Sequence, residues 1–211
     1  MLEPSPGRTM IDTLATVLDW FGILVFATTG ALVASRKQMD IVGFLMLGTA
    51  TGVGGGTIRD VLLGLPVFWI AGPGYLIACV AVSAATFFLA HIPESRLALL
   101  LRFDAIGMAL FAVTGADKTL AVGASPVVAV AMGVVTATFG GVIRDILGGE
   151  SPVILSREIY ATAALAGALV FVLLTWSGFS RDLGLVTGFL IAAATRLGAL
   201  HWNWTLPRYR P

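Results

Sequence analysis

The sequence predicts an all-α integral membrane protein with seven transmembrane helices: two inverted three-helix repeats and a seventh helix outside both. Three observations carry this expectation. Of the 211 residues, 57% are hydrophobic and 12% charged, roughly half the ~25% charged fraction of an ordinary soluble domain. Apolar runs of roughly 20 residues, the length a helix needs to cross the hydrocarbon core, recur along the chain. Residues 19–64 also align without a gap on residues 104–149, at an offset of 85 and with 17 identical pairs in 46, which marks an internal duplication.

Composition also excludes other classes. A soluble fold of this size needs a polar surface that these residues cannot supply. The net charge of +1, with no basic patch, leaves no footprint for nucleic acid. Cys79 is the single cysteine and sits in an apolar run, so neither an internal disulfide nor a thiolate metal site is available. His91 and His201 are isolated and do not make a metal centre. No set of nucleophile, histidine and carboxylate is visible, so no enzyme is expected.

In order, residues 1–12 form an N-terminal lead, made irregular over Met1 to Thr9 by Pro4, Pro6 and Gly7. No small-residue cleavage site follows the first apolar segment, so a signal peptide is not expected. The first repeat takes 13–102, with spans near 13–34, 41–65 and 73–91. The second takes 103–180, with spans near 103–120, 126–149 and 157–177. The seventh helix occupies 181–202, with its span near 183–202, and 203–211 is a tail. Turn residues with charge or proline separate the spans, as in Ser35 to Asp40, Gly72-Pro73-Gly74, Gly123 to Pro126 and Ser177 to Asp182. Asp117 and Lys118 shorten the fourth span.

Three crossings per repeat reverse the direction of entry, so the second unit is inverted relative to the first. The side with the first, third and fifth loops and the C-terminus holds Arg36, Lys37, Arg96, Arg102, Arg157, Arg208 and Arg210. The other holds Arg8, Lys118 and Arg181. This bias places the C-terminus in the cytoplasm and the N-terminus outside. Trp20, Trp69, Trp176, Trp202 and Trp204 fall near predicted helix ends, as an interfacial belt requires. Small faces at Ala161 to Ala168 and Ala192 to Ala194 suit close helix contacts within or between protomers.

The chain is organised around two copies of one stretch, Thr51-Gly-Val-Gly-Gly-Gly-Thr-Ile-Arg59-Asp60-Val-Leu-Leu-Gly64 and Thr136-Ala-Thr-Phe-Gly140-Gly141-Val-Ile-Arg144-Asp145-Ile-Leu-Gly-Gly149. Gly52, Gly54, Gly55 and Gly56, and Gly140 and Gly141, permit a kink or break inside a membrane span. Interrupted helices in matching halves point to a substrate pathway, while close helix packing is the plainer reading. Adjacent helical residues point about 100° apart, so Arg59 and Asp60, like Arg144 and Asp145, are expected to seek partners other than each other. They either line an aqueous pore or its gate, or tie their helices to neighbours.

Asp19 and Asp104 match at the starts of the first and fourth spans, where a carboxylate caps a helix or, alternatively, forms an ion-attracting vestibule with Lys118. Thr28, Thr29 and Thr114 either line a pore or bond their own backbone. Arg196 reads as a snorkelling residue.

These features together resemble the prokaryotic branch of the TRIC (trimeric intracellular cation) channels, whose bacterial relatives are also labelled glycine transporters. The resemblance spans roughly residues 13–202 and rests on the doubled Gly-Gly-x-Ile-Arg-Asp motif. It implies a homotrimer in the inner membrane of a prokaryote, with one pore per protomer flanked by the second and fifth spans and passing potassium or sodium. It implies membrane lipid as a partner and no cofactor, no metal and no nucleic acid. A small-amino-acid (glycine) transporter using the same inverted-repeat site is the alternative. Phe139 stands where the first copy has Gly54, so an asymmetric pathway is expected.

Overall fold

The computed structural model of the chain describes residues 6–89 and 96–207. His91, Arg208 and Arg210 lie outside the described residues, as do the side chains of Arg8 and Arg96. The chain folds into α1 (Pro6–Arg36), α2 (Ile41–Leu62), α3 (Phe68–Ala71), α4 (Gly74–Leu89), α5 (Arg96–Ala121), α6 (Pro126–Leu147), α7 (Ala161–Trp176) and α8 (Arg181–Trp202). A turn of 3-10 helix, Val153–Leu155, follows α6. Within α1, α2, α5, α6 and α8, stretches of 21 to 24 residues are long and apolar enough to cross a membrane, and α4 and α7 are shorter apolar helices of 16 residues. This is a helical membrane protein.

Local chemistry repeats at the offset of 85. Asp40 caps α2 by accepting from Gly43 N at 2.8 Å, and Ser125 caps α6 by accepting from Val128 N at 3.4 Å. Both helices end alike. Leu65 N donates to Asp60 O and Glu150 N to Asp145 O, each at 2.8 Å. Gly64 and Gly149 take φ of +66° and +68° there, the left-handed turn that closes such a terminus and that L side chains rarely adopt.

Two boundaries differ from the sequence expectation. Helix α1 begins at Pro6, so residues 6–12 of the supposed lead are helical; proline suits a first turn, where its missing N–H is no loss. Helix α5 runs through Asp117 and Lys118 to Ala121. Charge does not end it because both residues are paired: Asp117 accepts from Arg181 Nε and Nη2 at 2.5 Å, and Lys118 donates to Asp19.

The centre is where α1 meets α5 and α2 meets α6. Phe26 and Phe111 pack edge to face with centroids 5.0 Å apart. A Cβ at Gly22 would press on the Phe111 ring and one at Gly107 on the Phe26 ring, the same contact with the copies exchanged. The α2–α6 crossing is reciprocal too: Gly55 lies against the Thr136 carbonyl and Gly140 against the Thr51 carbonyl. Only glycine allows backbones so close. Farther out, Gly167 of α7 and Gly188 of α8 each abut the other's carbonyl, so those small faces are used within the chain.

Candidate functional site

Each organising stretch folds into a bracket at the end of its helix. Arg59 donates through Nε and Nη2 to Asp60 Oδ1 at 2.8 and 2.6 Å, while Asp60 Oδ2 accepts the Phe68 N–H at 2.9 Å. Arg144 Nε donates to Asp145 Oδ1 at 2.9 Å, and Asp145 Oδ2 accepts the Val153 N–H at 3.0 Å. The expectation that neighbours 100° apart avoid each other is corrected. Arginine's three methylenes let the guanidinium swing back over the next carboxylate, and pairing relieves the cost of burying both charges. All four residues are under 5% exposed. The aspartate thereby joins its arginine to the segment that leaves the helix.

The first cluster surrounds Arg59. Lys118 reaches from α5 to Asp19 on α1, with its ammonium 5.6 Å from the Phe68 ring centroid. Phe68 lies over Gly56, where a Cβ would meet the ring at 2.7 Å. Trp69 anchors this cover by donating from Nε1 to Thr57 Oγ1 at 2.9 Å. Asp19, Ile23, Gly52, Gly56, Arg59 and Lys118, with Phe68 and Phe111, enclose a cavity of about 10 Å³, room for about one water.

The second cluster surrounds Arg144 and is filled by protein. Arg144 Nη1 donates to Asp104 Oδ1 at 2.5 Å and to Thr29 Oγ1 at 3.2 Å. The Tyr160 hydroxyl makes a long bond of 3.5 Å to the same Asp104 oxygen and sits where a Cβ on Gly141 would meet it at 2.8 Å. Tyr160 is 1% exposed. Tyr75, its partner at the offset of 85, instead stacks on Trp20 with centroids 4.2 Å apart. Residue 105, opposite Trp20 in the alignment, is alanine, which gives Tyr160 no such platform.

Several expected roles change. Helices α2 and α6 run unbroken through their glycines, so no carbonyl is freed by a break. Gly54, Gly55 and Gly140 serve the helix crossing, Gly52 packs on Cys79 and Ile23, and Gly56 and Gly141 make room for Phe68 and Tyr160. Asp19 and Asp104 lie inside α1 and α5 and cap nothing, because both helices begin earlier than their apolar spans suggest. They bind Lys118 and Arg144 instead. Asp19 and Lys118 do share a cavity wall; Asp104 belongs to the filled cluster.

Thr28 bonds its own backbone at Leu24 O, 2.8 Å. Thr29 bonds Phe26 O, 2.8 Å, as well as Arg144, and Thr114 Oγ1 is buried without a partner. Arg196 does not snorkel: it is 1% exposed, donates to Glu158 Oε2 at 2.7 Å and to Ile159 O at 3.2 Å, and lies 5.0 Å from the Tyr160 ring centroid. The helix that carries it is flanked by a segment whose carboxylate and carbonyl offer better partners than lipid.

No sequence pattern singles out Phe68 or Glu158. The match of Tyr75 with Tyr160 was the available signal for the tyrosine, without indicating which of the two is buried. Among the described residues no group of three or more His, Cys, Asp or Glu could hold a metal ion. The larger hollow between α6 and α7, about 600 Å³ and lined by residues such as Val127, Leu169 and Trp176, is apolar and offers nothing to recognise a charge.

Comparison with known proteins bears on the fold and the family. A family model described as "Glycine transporter" matches twice, over residues 16–91 and 101–176, the two stretches again offset by 85. The chain is 41% identical over 207 residues to a UPF0126 membrane protein of Vibrio cholerae, covering 96% of this chain and 86% of that one. It is 40% identical over 196 residues to the UPF0126 inner membrane protein YadS of Escherichia coli K12, covering 91% and 94%. Among solved structures it resembles the TRIC trimeric intracellular cation channel orthologue from Rhodobacter sphaeroides, with 60% identity, TM-score 0.89, and 91% and 100% of the two chains covered. It also resembles a prokaryotic TRIC channel crystallised in 0.5 M KCl, with 31% identity, TM-score 0.85, and 92% and 99% covered. The two solved structures are described as channels and the two UPF0126 relatives as membrane proteins.

Proposed function

From the TRIC channel family, to which this chain belongs, we propose that the protein is a monovalent cation channel, passing potassium, with a path inside each protomer along the α2–α6 crossing. The observation that carries this reading is the placement of buried ionisable groups. Arg59, Asp60 and Asp19, joined by the half-buried Lys118, gather at one end of that crossing, and Arg144, Asp145 and Asp104 at the end of α6. Charges inside a membrane helix bundle are costly and mark ion pathways. In this reading Phe68 and Lys118 close the first cluster and Tyr160 the second.

Seven crossings, with α4 and α7 completing the count, make the two units inverted repeats, and the basic-residue bias sets the N-terminus outside and the C-terminus in the cytoplasm. The reciprocal contacts of Gly55 with Thr136 and Gly140 with Thr51 support a pseudo-two-fold axis through the path. Assembly is as a homotrimer within the prokaryotic inner membrane, in contact with lipid. Potassium or sodium is cargo, and no cofactor takes part. A glycine carrier using the same inverted-repeat site is the alternative, and it rests on the description of the family model alone.

The test is single-channel recording of the purified protein in planar bilayers under a potassium gradient, followed by uptake of labelled glycine into liposomes. Discrete steps reversing near the potassium equilibrium potential are expected. Silent bilayers with saturable glycine uptake would replace the channel with a carrier. Asp60→Asn and Asp145→Asn are expected to alter conduction more than Asp182→Asn; equal effects from all three would remove the pairs from the path.

A further inference from the structure

Resting on the channel reading above, we propose that Arg196 of α8 is the latch of the second cluster, a positioning residue that holds Tyr160 over Gly141 and so keeps that end shut. One guanidinium grips three consecutive residues: the Glu158 carboxylate at 2.7 Å, the Ile159 carbonyl at 3.2 Å and the Tyr160 ring at 5.0 Å to its centroid. Its Nε is buried with no hydrogen-bond partner. A buried donor left unsatisfied costs stability, so this arginine is not explained by local packing economy.

The grip continues outward. Glu158 forms an antiparallel bridge with Thr205, Leu206 N donates to Arg157 O at 2.8 Å, and Arg157 Nε donates to Leu206 O at 3.1 Å. Helix α8 and the residues after it thus clamp the stretch that ends in Tyr160. Inward, the Tyr160 hydroxyl meets Asp104, which holds Arg144. A chain of contacts therefore runs from a partly exposed carboxylate, Glu158 at 41%, to the innermost charges. Among the described residues the first cluster shows no matching clamp from α8. Helix α8 lies outside the duplication, and Tyr75 is parked on Trp20. Release of one packed element from outside is one way in which such an end opens.

The experiment uses the full chain in bilayers and compares wild type, Glu158→Gln, Arg196→Lys and Tyr160→Phe. Glu158→Gln keeps shape and sits at the exposed end, so it folds even if Arg196→Lys does not. The latch predicts that Glu158→Gln raises open probability by about threefold, the scale of weakening a half-exposed ion pair, with single-channel conductance unchanged. It predicts a larger rise for Arg196→Lys and a rise for Tyr160→Phe.

Amide hydrogen exchange of residues 156–160 in nanodiscs is measured on the same proteins and must quicken in Glu158→Gln while residues 63–73 do not change. A merely structural Arg196 would lower the melting temperature and leave open probability alone, which overturns the proposal. Unchanged exchange at 156–160 overturns it whether or not currents are seen. Silent wild-type bilayers count against the channel reading instead, and quickened exchange then still supports the clamp on Tyr160.

Discussion

The two clusters start from the same bracket and end differently. In both, an arginine folds onto the following aspartate, and that aspartate catches the backbone of the departing segment eight residues on. Around the first bracket, Asp19 is neutralised by Lys118 from the other repeat, and a small cavity survives under Phe68. Around the second, Asp104 is neutralised by Arg144 itself, and Tyr160 occupies the space. The positions that differ decide this. Lys118 aligns with Val33, Trp20 with Ala105 and Phe68 with Val153. Duplication preserves what the backbone and nearest neighbours require, while divergence at facing positions sets which group fills the gap.

The comparison breaks most readily at the two carboxylates inside α1 and α5. Asp104→Asn strips a counter-charge from the fully buried Arg144 and is expected to cost about 3 kcal/mol. Asp19→Asn is expected to cost about 1 kcal/mol, because Lys118, with its side chain 32% exposed, can turn to water. Thermal unfolding in lipid checks this, and equal losses would mean that the clusters are electrostatically alike.

Next come the reciprocal glycines. Gly55→Ala and Gly140→Ala each force a Cβ onto a carbonyl of the opposite helix and should cost about 2 kcal/mol apiece. A large loss from only one would end the two-fold equivalence of the crossing. The smallest effect separates the tyrosines: Tyr160→Phe removes a long bond to Asp104, about 0.5 kcal/mol, whereas Tyr75→Phe should be silent, its hydroxyl having no hydrogen bond among the described residues. A measurable loss from Tyr75→Phe would show that the first cluster uses its tyrosine as well.

Much of the fold was legible because it depends on local or repeated signals. Apolar length marked the long helices, and the turn residues of Ser35 to Asp40 and Gly123 to Pro126 marked the breaks before α2 and α6. The offset of 85 exposed the duplication that the family model matches twice. The site is less legible. The angle between Cα–Cβ vectors separates Arg59 from Asp60 but ignores the reach of a long side chain. Apolar runs hide the polar turns before Asp19 and Asp104, so both look like helix starts. Nothing along the chain brings Glu158 and Tyr160, 38 and 36 positions away, to the side of Arg196.

By itself the sequence determined that the chain is a helical membrane protein with two related halves, and which stretch in each half carries the charge. Those conclusions follow from hydropathy, spacing and self-similarity, which need no partner. Only the tertiary structure decided that Lys118 neutralises Asp19, that Arg144 rather than a capped N–H answers Asp104, and that one tyrosine is buried and its twin is not. Each is a contest among groups far apart in the chain for one low-dielectric space, and pairing energy and packing there depend on distances that only the folded helices define.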